Sequence, residues 1–121
     1  GVLDGRPVIG LPGNPVSAAV CFEVYVRPLL AAMLGRPADA VTEAAVLDAP
    51  ISKKVGLRTF ARVTVRRDAD GRLHAFPAGA QGSHVAHSLA LADGLAHLPA
   101  DWDAAPAGAT VAFQRWGGPF G

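Results

Sequence analysis

The stretch Arg58–Phe76, RTFARVTVRRDADGRLHAF, carries the clearest local pattern in the sequence. Apolar and polar side chains alternate over Thr59–Arg67, which predicts a strand with one face turned towards a core. Asp70-Gly71 then supplies the residue of positive φ that a tight turn needs, and a second strand is expected over Arg72–Phe76. The stretch therefore predicts an antiparallel β-hairpin.

Further short strands surround this hairpin. They are expected at Ala44–Leu47, Gly94–Leu98 and Thr110–Arg115, separated by segments rich in glycine and proline. Many short strands with such turns are typical of a small barrel or a sandwich, and the pattern alone does not choose between them. We predict a mainly β fold for residues 37–121, with a linker at Arg36–Thr42.

The first third of the chain, residues 1–36, has a different pattern: strand, turn and helix. Pro7-Val8-Ile9 is typical of a short buried strand, and Asn14 and Pro15 suit the cap and first position of a helix that Gly35 ends. A single strand and helix cannot cover both faces of the strand. We therefore expect residues 1–36 to be the end of a larger α/β domain, and position 1, which is not a methionine, to be a cut end.

The predicted helix is apolar around most of its surface. Glu23 and Arg27 form an i,i+4 pair, which we interpret as its solvent-facing stripe. Pro28 is expected to kink the helix, because it cannot donate a hydrogen bond to the carbonyl of Val24. The apolar positions are Val16, Ala19, Val20, Phe22, Val26, Leu29, Leu30 and Met33.

Composition narrows the functional classes. Half of the residues are hydrophobic and 17% are charged, which excludes a disordered polyelectrolyte. The formal net charge of +1 favours neither nucleic acid nor an anionic membrane as a partner. Glu23 and Arg27 interrupt the longest apolar run before it reaches the roughly 18 residues of a membrane span. The single Cys21 is expected to be a buried thiol, and we predict a reducing, cytoplasmic location.

Three stretches are candidate binding sites. The first is the turn Pro12–Ser17, where a helix N-terminus could present N–H groups to an anion; the alternative is a rigid, capped turn. It lacks the Gly-Lys-Ser/Thr ending of a P-loop. The second is the strand after Arg58, which places Arg58, Arg62 and Arg66 on one face, as an oxyanion site or as a solvated face with carboxylate partners.

The third candidate is the loop over residues 80–87, which contains Gln81-Gly82-Ser83-His84. It gathers an amide, a hydroxyl and an imidazole around a glycine, as binding loops do. His84 and His87 lack further ligands for a metal site, and Ser83 lacks the surroundings of a catalytic nucleophile. His74 and His97 are interpreted as core or edge residues of strands, and Trp102 and Trp116 as packing anchors.

Taken in order, these stretches resemble the C-terminal part of the molybdopterin molybdenumtransferase family, which includes bacterial MoeA and the E domain of gephyrin. The resemblance covers essentially the whole chain. It implies a β-clip-like C-terminal domain, a cytoplasmic homodimer, and exchange of molybdate for the AMP of adenylylated molybdopterin with Mg²⁺ assisting. The matching residues are Gly10–Ser17, Phe22, Arg27-Pro28-Leu29, Gly56–Arg62, Gln81–His84 and Leu91–Leu95.

The resemblance also implies roles for individual residues. Arg62 and Ser83 occupy the family's molybdate-binding positions, and the turn Pro12, Gly13, Asn14, Pro15 and Ser17 belongs to the molybdopterin cleft. The lysines that complete the molybdate site and the acidic residues that hold the cation lie upstream of Gly1 in the family. We therefore assign no catalytic residue and no metal ligand here, and expect this C-terminal fragment to be inactive alone.

Two alternatives stay open beside the transferase. The chain could be a non-catalytic scaffold module of the gephyrin type, which binds receptor peptides, or part of a homologue that handles tungstate. Molybdate and tungstate have nearly the same size and charge, so the residue pattern does not separate them. Neither nucleic acid nor a membrane is expected as a partner.

Overall fold

The computed structural model describes residues 1–79 and 86–121. Five strands form a closed barrel in the order β3-β5-β4-β6-β7, which settles the choice between barrel and sandwich. β3 and β5 pair in parallel, and the other neighbouring pairs are antiparallel. The five strands are β3 Glu43–Leu47, β4 Thr59–Arg67, β5 Leu73–Pro77, β6 Gly94–Leu98 and β7 Thr110–Arg115.

The predicted hairpin is formed by β4 and β5. Val65 lies opposite Ala75 in the ladder, and the turn between the strands has Gly71 at φ +80°. The carboxylate of Asp68 accepts hydrogen bonds from the N–H groups of Asp70 and Arg72, each at 2.9 Å. The aspartate side chain thus holds the turn that Asp70-Gly71 predicted.

The barrel core is made of small and branched apolar side chains and one phenylalanine. Alternation along β4 turns Ala61 and Val63 inwards, and Trp102 packs against the core from outside, as expected of an anchor. Gly94 lets β6 and β7 approach closely, because a Cβ atom there would lie 2.1 Å from the carbonyl oxygen of Gln114. The core residues are Ala45, Leu47, Ile51, Ala61, Val63, Leu73, Ala75, Ala96, Leu98, Ala105, Val111 and Phe113.

The helix before the barrel has the predicted boundaries. It consists of α1 Pro15–Cys21, a π-helical segment Phe22–Val26 and α2 Arg27–Met33. At its end Gly35 has φ +66°, and the N–H of Arg36 bonds to the carbonyl of Ala31 at 2.9 Å. This is the glycine-terminated Schellman arrangement, which satisfies the last carbonyls of the helix.

The departure from α-helical geometry lies before Pro28 rather than at it. In the π-helical segment the N–H of Arg27 bonds to the carbonyl of Phe22, five residues back. A π turn inserts one extra residue into the helix, next to the position where Pro28 has no N–H to donate. α2 then continues through Pro28.

The predicted buried strand near the start of the chain is wrong, and so is the predicted burial of Cys21. Pro7-Val8-Ile9 is not a buried strand: a two-stranded ribbon pairs β1 Val2–Leu3 with β2 Arg6–Pro7, and Val8 and Ile9 are exposed. An apolar tripeptide is buried only where neighbouring elements cover it, and the described residues place none there. Cys21 is half-buried rather than buried.

Glu23 and Arg27 do pair, but not on a solvent-facing stripe. Glu23 is 9% exposed, whereas the neighbouring Tyr25 is 61% exposed. The pair turns towards the segment that follows β7, and this contact, 91 residues away in sequence, was not visible in the helix pattern. The periodicity of the helix therefore identified its polar positions but wrongly placed them on its solvent-exposed face.

By length and hydropathy alone, the run Pro15–Met33 is one helix in the described part of the chain that could span a membrane. Core helices of soluble proteins and signal sequences meet the same criterion, so the observation is weak. A third helix, α3 Ala86–Leu91, contacts both α1 and β4.

Candidate anion site

Arg62 lies in the middle of β4 on the outer face of the barrel. Its neighbours Ala61 and Val63 point into the core, so alternation turns the guanidinium outwards, yet Arg62 is only 4% exposed. Arg62 lies opposite Leu95 of β6, and Leu95 in turn lies opposite Gln114 of β7. Leu95 and Gln114 are buried as well. This row of the outer face is therefore shielded from solvent within the chain itself.

Burial has an electrostatic consequence for Arg62. Desolvation lowers the pKa of its guanidinium, because taking a charge out of water disfavours the charged form. The ordinary pKa of arginine is so high that the side chain still carries its proton at neutral pH. A charged fork held in a low-dielectric setting interacts more strongly with an oxyanion than an exposed one does.

The other two arginines of the predicted face have different surroundings. The Arg58 guanidinium lies over the Phe60 ring at 5.3 Å, and that of Arg66 lies over Phe76 at 5.7 Å. Across residues 1–79 and 86–121, neither forms an ion pair with a carboxylate, and both side chains are exposed. Of the three, only Arg62 has the burial expected of a binding residue.

A hydrogen-bonded chain on the barrel surface joins Arg58 and His97 to Gln114, which lies in the same row as Arg62. Nη2 of Arg58 lies 3.4 Å from Nδ1 of His97, whose Nε2 lies 2.9 Å from Oε1 of Gln114. Burial, followed by the charge of Arg58, lowers the pKa of His97 although the Gln114 bond opposes them, so the imidazole is neutral at pH 7. Because the amide oxygen of Gln114 only accepts, Nε2 carries the hydrogen and Nδ1 accepts from Arg58.

The cross-strand register brings these residues together. Phe60 lies opposite His97, and their rings meet edge to face with centroids 5.0 Å apart. A cleft of about 410 Å³ separates this cluster from the helix, and Glu23, Tyr25 and Asp39 line its other side. The prediction of His97 as a strand residue is confirmed, but its polar partners come from other strands, which no local pattern shows.

The turn Pro12–Ser17 has the geometry of a capped helix start. The side-chain oxygen of Asn14 accepts hydrogen bonds from the N–H groups of Val16 at 3.0 Å and Ser17 at 3.4 Å. These two amides are therefore hydrogen-bonded inside the protein, as expected of the capped turn, and anion binding at this turn stays a prediction. The turn itself is exposed at Pro12, Gly13 and Pro15, with Asn14 and Ser17 partly exposed.

The third candidate lies largely outside the described residues. Gln81, Gly82, Ser83 and His84 fall in the undescribed segment 80–85, so the predicted convergence of Ser83 with Arg62 stays a prediction. His87 is described and its side chain is exposed. In the part of the chain that the structure covers, no group of three or more His, Cys, Asp or Glu side chains is arranged to hold a metal.

One polar cluster, and the long-range contacts of the predicted Glu23–Arg27 pair, were not found from the sequence. His74 lies between Asp48 and Asp68 on the barrel surface, where Nδ1 is 2.6 Å from Asp48 Oδ1 and Nε2 is 2.8 Å from Asp68 Oδ2. The Glu23–Arg27 pair is bonded to the backbone after β7. Charged residues near strand ends were the available signal, but which of them meet depends on the closure of the barrel.

These features define a class of protein: a small closed β-barrel module with a buried guanidinium on its outer face, joined to a helix from a preceding segment. The family model described as "MoeA C-terminal region (domain IV)" matches residues 44–116. The chain therefore belongs to the MoeA family of molybdenum cofactor biosynthesis proteins, and it corresponds to their C-terminal region.

Curated relatives agree with this assignment. The chain is 39% identical over 102 residues to "Molybdopterin molybdenumtransferase 2" of Mycobacterium tuberculosis, covering 84% of this chain and 24% of the relative. It is 40% identical over 102 residues to "Molybdopterin molybdenumtransferase 1" of the same species, covering 79% and 24%. The chain thus spans about a quarter of the length of these relatives.

A solved structure has the same fold. A crystal structure of a molybdopterin biosynthesis MoeA protein from Pyrococcus horikoshii superimposes with a TM-score of 0.76 at 30% identity. The match covers 95% of this chain and 27% of that one, so it includes the helix as well as the barrel.

Proposed function

We propose that the chain is part of a molybdopterin molybdenumtransferase, which inserts molybdate into adenylylated molybdopterin and releases AMP. Membership of the MoeA family and the printed names of the relatives support the reaction class. The observation that carries the proposal is the burial of Arg62, the residue to which the family resemblance assigns molybdate binding.

The chemistry of molybdate suits such a residue. Molybdate is a tetrahedral dianion, so it needs a fixed cation and hydrogen-bond donors rather than a nucleophile. The guanidinium fork of Arg62 can donate to two of its oxygens, and its low-dielectric position strengthens the attraction. Ser83 would add a hydroxyl donor. In this proposal Arg62 binds and orients the oxyanion, and no residue of the chain transfers a proton.

The turn before the helix is proposed to line the molybdopterin cleft. Pro12 and Pro15 give the exposed turn a stiff backbone, and Gly13 keeps it free of a side chain. Asn14 uses its side-chain oxygen for the helix cap, which leaves its NH₂ group and the hydroxyl of Ser17 as donors for the pterin. A rigid turn would hold one face of the substrate without rearranging.

Other parts of the proposal lie beyond this chain. Mg²⁺ is expected from the family resemblance, which places the acidic residues that hold it upstream of Gly1. The homodimer and the cytoplasmic location are proposed on the same resemblance. Because the chain spans only about a quarter of its relatives, we propose that it has no transferase activity alone.

A chimera tests the proposal. This chain replaces the matching region of the Mycobacterium tuberculosis molybdopterin molybdenumtransferase 2, and molybdate-dependent AMP release from adenylylated molybdopterin is measured. Arg62→Met is expected to raise the KM for molybdate about 100-fold, since two charge-assisted hydrogen bonds are lost. Arg62→Lys keeps the charge without the two-pronged guanidinium, so its KM for molybdate should lie between those of the parent and Arg62→Met.

Arg66→Met is the matched control, because Arg66 is on the same strand but exposed over Phe76. It should change the KM for molybdate less than twofold. Both methionine variants are first shown to be folded by circular dichroism. If their KM values for molybdate are then equal, Arg62 does not bind molybdate. Replacing molybdate with tungstate in the same assay tests the other oxyanion.

A further inference from the structure

The pair formed by Glu23 and Arg27 bonds the helix to the segment that leaves the barrel. Nη1 of Arg27 donates to Oε2 of Glu23 at 2.6 Å, and Nη2 donates to the carbonyl oxygen of Gly118 at 2.8 Å. The other carboxylate oxygen, Oε1, accepts from the N–H of Gly117 at 3.2 Å. Both side chains thus bond to each other and to the backbone that follows β7.

The direction of these bonds matters. The anionic partner meets a backbone donor and the cationic partner meets a backbone acceptor, so the pair fits Gly117 and Gly118 in one orientation only. The side chains are 11% exposed for Glu23 and 22% for Arg27. An exposed i,i+4 pair contributes little, but a largely buried one depends on every hydrogen bond it makes.

The segment that receives the pair is itself well fixed. We call residues 117–121 the tail. Gly117 has φ +61°, and the N–H of Gly118 returns to the carbonyl of Arg115 at 3.0 Å, which makes a tight turn directly after β7. The ring of Phe120 lies 4.7 Å from the Arg27 guanidinium, a cation–π contact.

The tail also pairs with the linker between helix and barrel. The N–H of Val41 donates to the carbonyl of Pro119 at 3.1 Å, and that of Gly121 donates to the carbonyl of Asp39 at 3.0 Å. The tail is therefore held on one side by the linker and on the other by the helix, so a shift of the helix must break its bonds to the tail.

We infer that Glu23 and Arg27 are positioning residues that fix the Pro12–Ser17 turn relative to Arg62. This inference rests on the proposed function. The turn and the pair lie on one continuous helix, while the tail extends β7, which pairs with β6, which pairs with β4 at Arg62. The pair therefore sets the separation between the proposed pterin and molybdate positions without contacting either substrate.

This role predicts a particular kinetic effect. Molybdate binding to Arg62 should remain when the helix is released, because the barrel is unchanged. The rate at saturation should fall, since a displacement of about 1 Å between reacting partners costs up to roughly 100-fold. We therefore expect kcat to fall about 10- to 100-fold, with the KM for molybdate changed less than about threefold.

Charge reversal separates this role from ordinary helix stabilisation. The variant Glu23→Arg/Arg27→Glu keeps an i,i+4 ion pair, but a guanidinium now faces the N–H of Gly117 and a carboxylate faces the carbonyl of Gly118. If the pair only stabilises the helix, the swap behaves like the parent. If it positions the helix, the swap behaves like Arg27→Met. The control is Glu43→Gln/Arg67→Gln, which removes an exposed ion pair of the barrel.

Two measurements decide the outcome. Spin labels at the exposed positions Leu11 and Arg72, with Cys21→Ala, report the distance from the helix start to the barrel hairpin in the 121-residue chain. Kinetics are measured in the chimera. A broadened distance distribution together with lowered kcat supports the inference, and the control should change neither.

An unchanged distance distribution in the charge-reversed variant overturns the inference, and so does a broadened distribution with the parent kcat. A parent chimera that releases no AMP counts against the proposed function instead. In that case the distance measurement alone decides whether the pair holds the helix to the barrel.

Discussion

The barrel and the helix in front of it are stabilised in different ways. The barrel closes around side chains such as Leu47, Val63 and Leu98, which have no exposed surface. Along the helix only Val16 is a fully buried apolar residue, while Tyr25 and Met33 are each 61% exposed. The barrel is held by apolar burial, whereas Glu23 and Arg27 of the helix form hydrogen bonds to the backbone that follows β7. Substitutions in the two regions should therefore have very different costs.

The largest effect is expected at the closest approach of two barrel strands. A Cβ atom at Gly94 would lie 2.1 Å from the Gln114 carbonyl oxygen and 2.9 Å from Cα of Arg115. Since both are backbone atoms, the strands themselves must separate. Gly94→Ala should lower the free energy of unfolding by about 3 kcal/mol or more, measured by urea denaturation of the full chain.

Gly10→Ala is the matched change in the other region. No atom lies within 4 Å of a Cβ placed at Gly10, so its effect should stay within about 0.5 kcal/mol. A similar loss from both variants would contradict the contrast between a closely packed barrel and a loosely packed N-terminal segment.

A smaller and local effect is expected at the helix start. Asn14→Ala removes the acceptor for the N–H groups of Val16 and Ser17 and should cost about 1 kcal/mol of helix stability. Amide exchange at these two residues should accelerate, while exchange in β4 and β6 stays unchanged. Asn14→Asp keeps the acceptor and should restore protection. Faster exchange in the barrel strands would show that the two regions unfold together.

The smallest effect concerns the pH dependence of the barrel. The hydrogen bonds that His74 donates to Asp48 and then to Asp68 raise the pKa of His74, and the bond from His74 is the main reason that the pKa of Asp68 is lowered. The stability contributed by His74 is full below its ordinary pKa of 6.5 and is lost as pH rises through the raised value. The stability contributed by Asp68 is present above pH 3.8 and is lost as pH falls through the lowered pKa of its carboxyl group.

His74→Gln should therefore flatten the decline in melting temperature on the alkaline side of pH 6.5. His97 serves as the internal control, because its pKa is lowered by burial and its contribution has the opposite sign. The stability that His97 contributes is lost as pH falls below 6.5. This decline in melting temperature on the acidic side should persist in His74→Gln. If the melting temperature of His74→Gln declines above pH 6.5 as steeply as that of the parent, the His74 cluster does not stabilise the fold.

Much of the barrel could be predicted because its signals are local. Alternation identified β4, β6 and β7 at their observed bounds, and Asp70-Gly71 identified the turn of the hairpin. Closure into a barrel rather than a sandwich depends on the parallel pairing of β3 with β5. That pairing joins residues distant in sequence, so the pattern left both architectures open.

The helix shows where local signals fail. Its cap and its terminating glycine follow from short-range hydrogen bonds and were predicted. The prediction of its solvent-exposed face was wrong because Glu23 and Arg27 bond to Gly117 and Gly118, at the other end of the chain. In the candidate site, alternation placed Arg62 on the outer face, but its burial depends on what packs over the strands, which alternation does not encode.

The pairing of the tail with the linker also has a mechanical consequence. Residues 39–41 and 119–121 run side by side, and the antiparallel ladder of β3 and β7 continues from there, beginning with Glu43 opposite Phe113. A force that pulls the linker and the tail apart therefore loads these hydrogen bonds one after another, as in a zipper, instead of shearing the ladder all at once. Stretched between these two points, the domain should yield at a low force even though its core is closely packed.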